Sequence, residues 1–245
     1  MPRSTGRTYS ALSFVAPLLL VIHLGIRLVF PNPGVATDLI LYNLVPLLTA
    51  ISSLLTPKFN DHWAKFSIFL AIFIWAIGSF ISSWNQFSDS KLPSTITDIS
   101  YSLFYPLIIF GIIRGLTINR KILSLELFDT LIIALGVTSA IASLLLKPAM
   151  LHFEGSAFSV FLSIFYPIGD VIILAVTVAL AISQKANPRI TFLIAGVSIF
   201  AASDLYFLWI DSHHQYSFGD LSDDGWLLAF ILIGEALWHK GGEVE

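Results

Sequence analysis

Apolar runs and short polar links alternate along this chain from Ala11 to His239. Eight runs approach the roughly 20 residues that a helix needs to cross a bilayer: 11–30, 37–56, 64–84, 97–116, 128–147, 157–183, 190–210 and 224–239. The links are often marked by proline or glycine, as in "PNPGVAT", "PKFNDHW", "NQFSDSKLPS", "SQKANPR" and "DSHHQYSFGDLSDD". No low-complexity linker or second domain interrupts them. The pattern predicts an all-α integral membrane protein. An eight-helix domain (11–240) lies between a short N-terminal segment (1–10) and a tail (241–245). The basic opening "MPRSTGRTYS" resembles the start of a signal peptide. The apolar run continues to Phe30 without a small-x-small cleavage site, so it reads as a retained first span.

Composition supports the membrane assignment. The chain is 56% hydrophobic and 12% charged, against about 25% charged residues in soluble domains. Its mean hydropathy is +0.83. A net charge of −3 gives no reason to expect a nucleic-acid partner. The absence of cysteine excludes disulfides, thiolate metal sites and cysteine nucleophiles. With the N-terminus inside, ten of the 13 basic residues fall at cytoplasmic span ends; Arg27, Lys91 and Lys147 fall outside. That is a positive-inside bias, and omitting one span would scramble it. Both termini are therefore expected in the cytoplasm.

Repeats suggest helical hairpins. Thr37-Asp38 precedes Pro46-Leu47 by the same interval that separates Thr97-Asp98 from Pro106-Leu107. Trp84 and Asp98 are spaced like Trp209 and Asp223, and "SLFYP" (102–106) recurs as "SIFYP" (163–167). Spans one–two, three–four and seven–eight thus read as related hairpins. Asp38, Asp98 and Asp223 fall at the outer starts of even-numbered spans, where a carboxylate can cap free N–H groups and complement the helix dipole. Capping is the expected role; ligand contact is the alternative.

Asp170, Asp204 and Glu235 lie well within spans. At 1.5 Å per residue, Asp170 and Glu235 come near mid-membrane and Asp204 lies in the outer third. An acid at the centre of a span costs about 2.5–3.5 kcal/mol, so each should face the bundle interior and have a partner. No Lys or Arg lies at the depth of Asp170 or Glu235. Hydroxyls, Asn43 and the carboxyl's own proton are the available means of satisfying them. Tyr105, Tyr166 and Tyr206 are among the hydroxyl donors. Arg27 could reach Asp204, Asp98 or the acidic loop around Asp211, Asp220, Asp223 and Asp224; Arg114 and Asp129 could pair near the inner face. Pro167 and Gly169 beside Asp170 favour a bend, which can line a cavity or merely serve packing.

The six histidines include no metal-binding spacing such as H-x-x-x-H. His213-His214 could make the acidic loop pH-responsive, although a solvated loop is the plainer reading. Trp63, Trp84, Trp209, Trp226 and Trp238 are expected as interfacial anchors, and Trp75 as packing. No nucleophile elbow, phosphate loop or other catalytic set occurs, and no cofactor is specified.

Five stretches carry a family likeness: "TDISYSLFYPLIIFGIIRG" (97–115), "LFDTLIIALGV" (127–137), "FYPIGDVIILAV" (165–176), "AASDLYFLW" (201–209) and "YSFGDLSDDGWLLAFILIGEALWH" (216–239). In composition and order they resemble the multi-span N-terminal sensory regions of bacterial signalling proteins that carry GGDEF or EAL domains, which make or degrade cyclic di-GMP. The resemblance covers roughly 97–240. It implies a non-catalytic sensor or anchor in the bacterial inner membrane, acting through an output domain or cytoplasmic partner that these 245 residues do not include. A homodimer is compatible with it. The stimulus would be a small or lipidic ligand, pH or a membrane property. Candidate ligand-binding residues are Asp170, Asp204, Tyr166, Tyr206, Trp209 and Arg27; structural polar positions are Asp38, Asp98, Asp223, Asp129, Arg114 and Glu235. The alternatives are a small-solute or proton-coupled transporter using Asp170 and Glu235, and a lipid-modifying enzyme.

Overall fold

The structure is a computed structural model. It describes residues 5–30, 32, 34–57, 59, 61–117, 128–129, 131–132, 135–136, 139–140, 143, 157–182, 184, 186–213 and 215–239. Among them are seven α-helices and no strand. The helices are α1 (Thr5–Val29), α2 (Tyr42–Leu55), α3 (His62–Phe87), α4 (Ser94–Thr117), α5 (Ala157–Ile182), α6 (Pro188–Ser212) and α7 (Leu221–Trp238). A π-helical turn, Val35–Leu41, leads into α2. Helices α5, α6 and α7 fall where the sixth, seventh and eighth spans are expected, although α7 is not among the stretches long and apolar enough to cross a membrane. Most of the expected fifth, 128–147, lies outside the described residues, as do the tail and residues 1–4. Five stretches are long and apolar enough to cross a membrane: Val35–Leu55, His62–Phe87, Ser94–Thr117, Phe161–Ile182 and Pro188–Ser212. Helix α7 has 18 residues and carries Asp223, Asp224 and Glu235.

Helices satisfy their own backbone where water is absent, and many side chains obey the same constraint. Thr49, Ser53, Thr177 and Ser203 each donate to the carbonyl four residues back, at 2.7–2.9 Å. Asp61 caps α3 through the Ala64 N–H at 2.6 Å, and Asn187 caps α6 through the Ile190 N–H at 3.2 Å. Pro188 follows at the first helical turn, where its missing N–H costs nothing.

From α2 to α7 each helix packs on the next and α7 returns to α2, forming a ring; α1 lies outside it, against α2 and α7. Aromatic rings fill the centre. Trp75 of α3 meets Phe230 of α7 with centroids 4.6 Å apart, and Phe104 of α4 meets Phe200 of α6 at 4.7 Å. All four are buried. Lipid is as apolar as these side chains, so close packing must supply the attraction between helices. Gly196 provides it between α6 and α7: a Cβ there would lie 2.9 Å from the Ala229 carbonyl oxygen.

At one end of the ring, basic side chains cover the last carbonyls of helices, which suits the negative end of the dipole. Arg189 donates to the His239 carbonyl at 2.7 and 3.0 Å and lies over the Phe59 ring. Lys65 donates to Thr56 O. Arg114 does not use the expected Asp129, which is exposed; its Nε meets Asp61 Oδ1 at 2.9 Å. Asp61 is nearer because the α2–α3 link runs beside the end of α4.

Burial alone would raise the Asp61 carboxyl. The hydrogen bonds from Arg114 and Ala64, with the Arg114 charge, outweigh it and hold the group below its ordinary 3.8. A carboxyl depressed in the folded state stabilises it fully above the unfolded value, and that contribution is lost as pH falls through the folded one. The melting-temperature gap between the native chain and Asp61→Asn, which keeps a capping side chain, should be constant at neutral pH and close below about pH 4. A gap independent of pH would show that the Asp61 charge contributes nothing.

Candidate functional site

Four helices each bring one polar side chain to a single cluster: Tyr105 from α4, Asp170 from α5, Asp204 from α6 and Trp226 from α7. The Tyr105 hydroxyl lies 3.1 Å from Asp170 Oδ1 and 2.8 Å from Asp204 Oδ2. Trp226 Nε1–H donates to Asp204 Oδ1. A tyrosine hydroxyl has one proton to give, so it serves the two carboxyl groups in turn, or the pair carries a proton of its own between them. Asp170 is 3% exposed, and its Oδ2 has no hydrogen-bond partner among the described residues.

Local sequence makes this meeting possible. Helix α5 runs through Pro167 to Ile182, and at Gly169 a Cβ would lie 2.2 Å from the Tyr105 ring. The missing side chain is what lets the ring settle on α5 beside Asp170. Tyr105 also stacks on Tyr166, with centroids 6.0 Å apart and planes 20° apart, so the two copies of the repeated F-Y-P motif pack face to face. The Tyr166 hydroxyl reaches the Asp98 carbonyl at 3.4 Å.

Beside the cluster is a cavity of about 300 Å³. Asp204, Tyr105 and Trp226 form one wall; Asp98, Tyr166 and Pro167 form part of another. Tyr216, from the link between α6 and α7, also lines it. Burial first, then the Asp223 charge, pushes the Tyr216 hydroxyl well above its ordinary range. It therefore remains a donor, and gives its proton to Asp223 at 3.1 Å.

Arg27 fixes that link. Its guanidinium meets Asp38 Oδ1 at 3.1 Å and the Gly219 carbonyl at 2.7 Å. Gly219 has φ +85°, a left-handed conformation that glycine adopts without steric cost. Asp38 and Asp223 each accept a backbone N–H where a helix begins, in both cases from a glycine four residues earlier: Gly34 N–H to Asp38 at 2.8 Å and Gly219 N–H to Asp223 at 2.6 Å. An acid inside the first turn points its carboxylate toward the preceding loop, as in the reciprocal half of a capping box. The Asp98 side chain makes no cap bond among the described residues, because it lies in the second turn of α4 and faces the cavity. Below the clamp His23 is fully buried, 3.9 Å from Asp38 and 3.7 Å from Asp224.

Of the six expected ligand-binding residues, Asp170, Asp204 and Tyr166 come together here. Arg27 belongs to the neighbouring clamp. Tyr206 and Trp209 stack on each other at the outside of α6, 38% and 46% exposed. Glu235 lies apart, in a small recess with Thr49 and Ser52 of α2 and Pro17 of α1. Two expected interfacial tryptophans are internal: Trp226 serves Asp204, and Trp238, 7% exposed, donates to Ser52. Trp75, expected as packing, and Tyr105, expected among the hydroxyl donors, both line the cavity.

Comparison with protein-family models, with curated proteins and with solved structures gives no match.

Gly169→Ala should force the Tyr105 ring away from Asp170 and lower stability by about 1–3 kcal/mol, the usual cost of overpacking. Thermal unfolding of the purified protein measures this. Gly25→Ala, where a Cβ meets nothing within 4 Å, is the control. Equal melting of both variants would remove Gly169 as the basis of the contact.

Proposed function

We propose that this chain is a non-catalytic membrane sensory module whose ligand enters the aromatic cavity and acts on the Asp170–Tyr105–Asp204 cluster. The observation that carries the reading is that a cavity wall and a four-helix hydrogen-bond cluster share the same three side chains, Tyr105, Asp204 and Trp226. A ligand contacting those atoms competes with the bonds that tie α4, α5, α6 and α7 together. Ligands shift an equilibrium between two arrangements only through contacts that differ between them, and competition for shared polar atoms supplies that difference. The likeness to bacterial sensory regions extends the reading: inner-membrane location, both termini cytoplasmic, and a signal passed through α7 to an output domain or partner.

A small-solute or proton-coupled transporter is the second reading, and the carboxyl pair is what favours it. Glu235, the other acid of such a relay, sits in a separate recess among α1 and α2 residues, which weakens the relay as first drawn. Gradient-driven flux in liposomes that Asp170→Asn abolishes would establish transport instead.

The sensory reading is tested with a reporter domain fused after Glu245. Asp170→Asn should change basal or stimulated output by about fivefold or more, the ratio that ~1 kcal/mol between two states produces. Normal output from a variant that is inserted and melts like the native chain would remove the cluster as the switch.

A further inference from the structure

The cavity's lining specifies a charge as well as a shape. Sixteen of the described residues face it, and eight of these are aromatic, including Trp75, Tyr101, Phe200 and Trp226. Three are carboxylic acids, Asp98, Asp204 and Asp211, and no Lys, Arg or His faces it among the described residues. Asp98 is half-buried, and its carboxyl makes no hydrogen bond or ion pair among the described residues. Arg27, which holds the Tyr216 link, is already committed to Asp38 and the Gly219 carbonyl. A box of ring faces attracts cations through the aromatic quadrupole, most strongly where water is excluded. Carboxylates in the same wall add a direct Coulomb attraction, strengthened by the low dielectric. An anion would meet those carboxylates with no cation among the described lining residues to offset them.

From this lining we infer that the cavity binds an organic cation: an ammonium group, substituted or quaternary, carrying a compact apolar body. The inference rests on the reading of the cavity as a ligand site and narrows it to a chemical class. A volume of about 300 Å³ equals that of about ten waters at ~30 Å³ each, at the lower end of small-molecule pockets. The ammonium sits against Asp98 and Asp204, and the apolar part lies among Trp75, Tyr105, Phe200 and Trp226. Held there, it draws on Asp204, which Tyr105 and Trp226 otherwise occupy.

The test uses the full chain, purified in a maltoside detergent, with benzyltrimethylammonium as the probe. Its neutral isostere neopentylbenzene, the anion benzenesulfonate and the zwitterion phosphocholine are compared in parallel. Trp75 and Trp226 line the cavity, so quenching or a shift of tryptophan fluorescence reports binding. The cation should bind saturably, at least about tenfold more tightly than the isostere or the anion. Asp98→Asn, which removes no bond that the fold uses, and Asp204→Asn should each weaken it by about tenfold. Phosphocholine binding as tightly as the cation would uphold the ammonium chemistry and assign it to a lipid headgroup; weaker binding assigns it to a free amine. If the neutral or anionic probe binds as well as the cation, or if Asp98→Asn leaves affinity unchanged in a normally melting protein, the cation assignment is overturned while the cavity stands as a ligand site. Failure of every probe would overturn both, and the reporter fusion would still judge the carboxyl cluster separately.

Discussion

Between helices packed in hydrocarbon, a carboxyl group has to find its partners inside the protein, and two of them find the same one: the Tyr105 hydroxyl. Asp170 and Asp204 come from consecutive helices and Tyr105 from a third, so the bridge fixes the relative rotation of α4, α5 and α6. Trp226 extends it to α7. Around the bridge, small and large residues interlock: Gly169 lies under the Tyr105 ring, Tyr166 stacks on it, and Phe104 and Phe200 pack beside it. The cavity adjoins the same rings: Tyr105, Tyr166 and Phe200 all line it.

The two ends of the bundle are held by different chemistry. At one, Arg114, Lys65 and Arg189 answer a carboxylate and helix-terminal carbonyls. At the other, Arg27 joins the starts of α2 and α7 through Asp38 and the Gly219 carbonyl, and so keeps the Tyr216 link over the cavity. In the middle, Asp170 and Asp204 are held by Tyr105 and Trp226, with no basic side chain bonded to either among the described residues. There the arrangement depends on one hydroxyl shared between two carboxyl groups.

Much of this was legible from residue types and spacing. The helical runs were plain from hydropathy, and the interior placement of Asp170 followed from the cost of a carboxylate in lipid. The repeated F-Y-P motif signalled kinship between two helices, although nothing in the text said that its tyrosines would stack. Rotation about each helix axis was harder. Spacing from Asp204 by three, four and seven residues gives Phe207, Leu208 and Asp211, all of which line the cavity. Tyr206 and Trp209 are off that face: their residue types suit a ligand site, but their helical phase does not. Trp226 and Trp238 were misread for a related reason: an aromatic near a span end suits the membrane interface, and only tertiary packing shows that its N–H is needed inside. Trp226 was therefore the least legible part of the site, since its partner lies on another helix.

A double-mutant cycle measures the central interaction most directly. Tyr105→Phe and Asp170→Asn are made singly and together, and the unfolding free energy of each protein is determined in the same detergent. The bridge predicts that the two losses are strongly non-additive, with a coupling of about 0.5 kcal/mol or more. Losses that sum to within a few tenths of a kcal/mol would mean that the hydroxyl and the carboxyl do not hold each other, and the account built on them would fail.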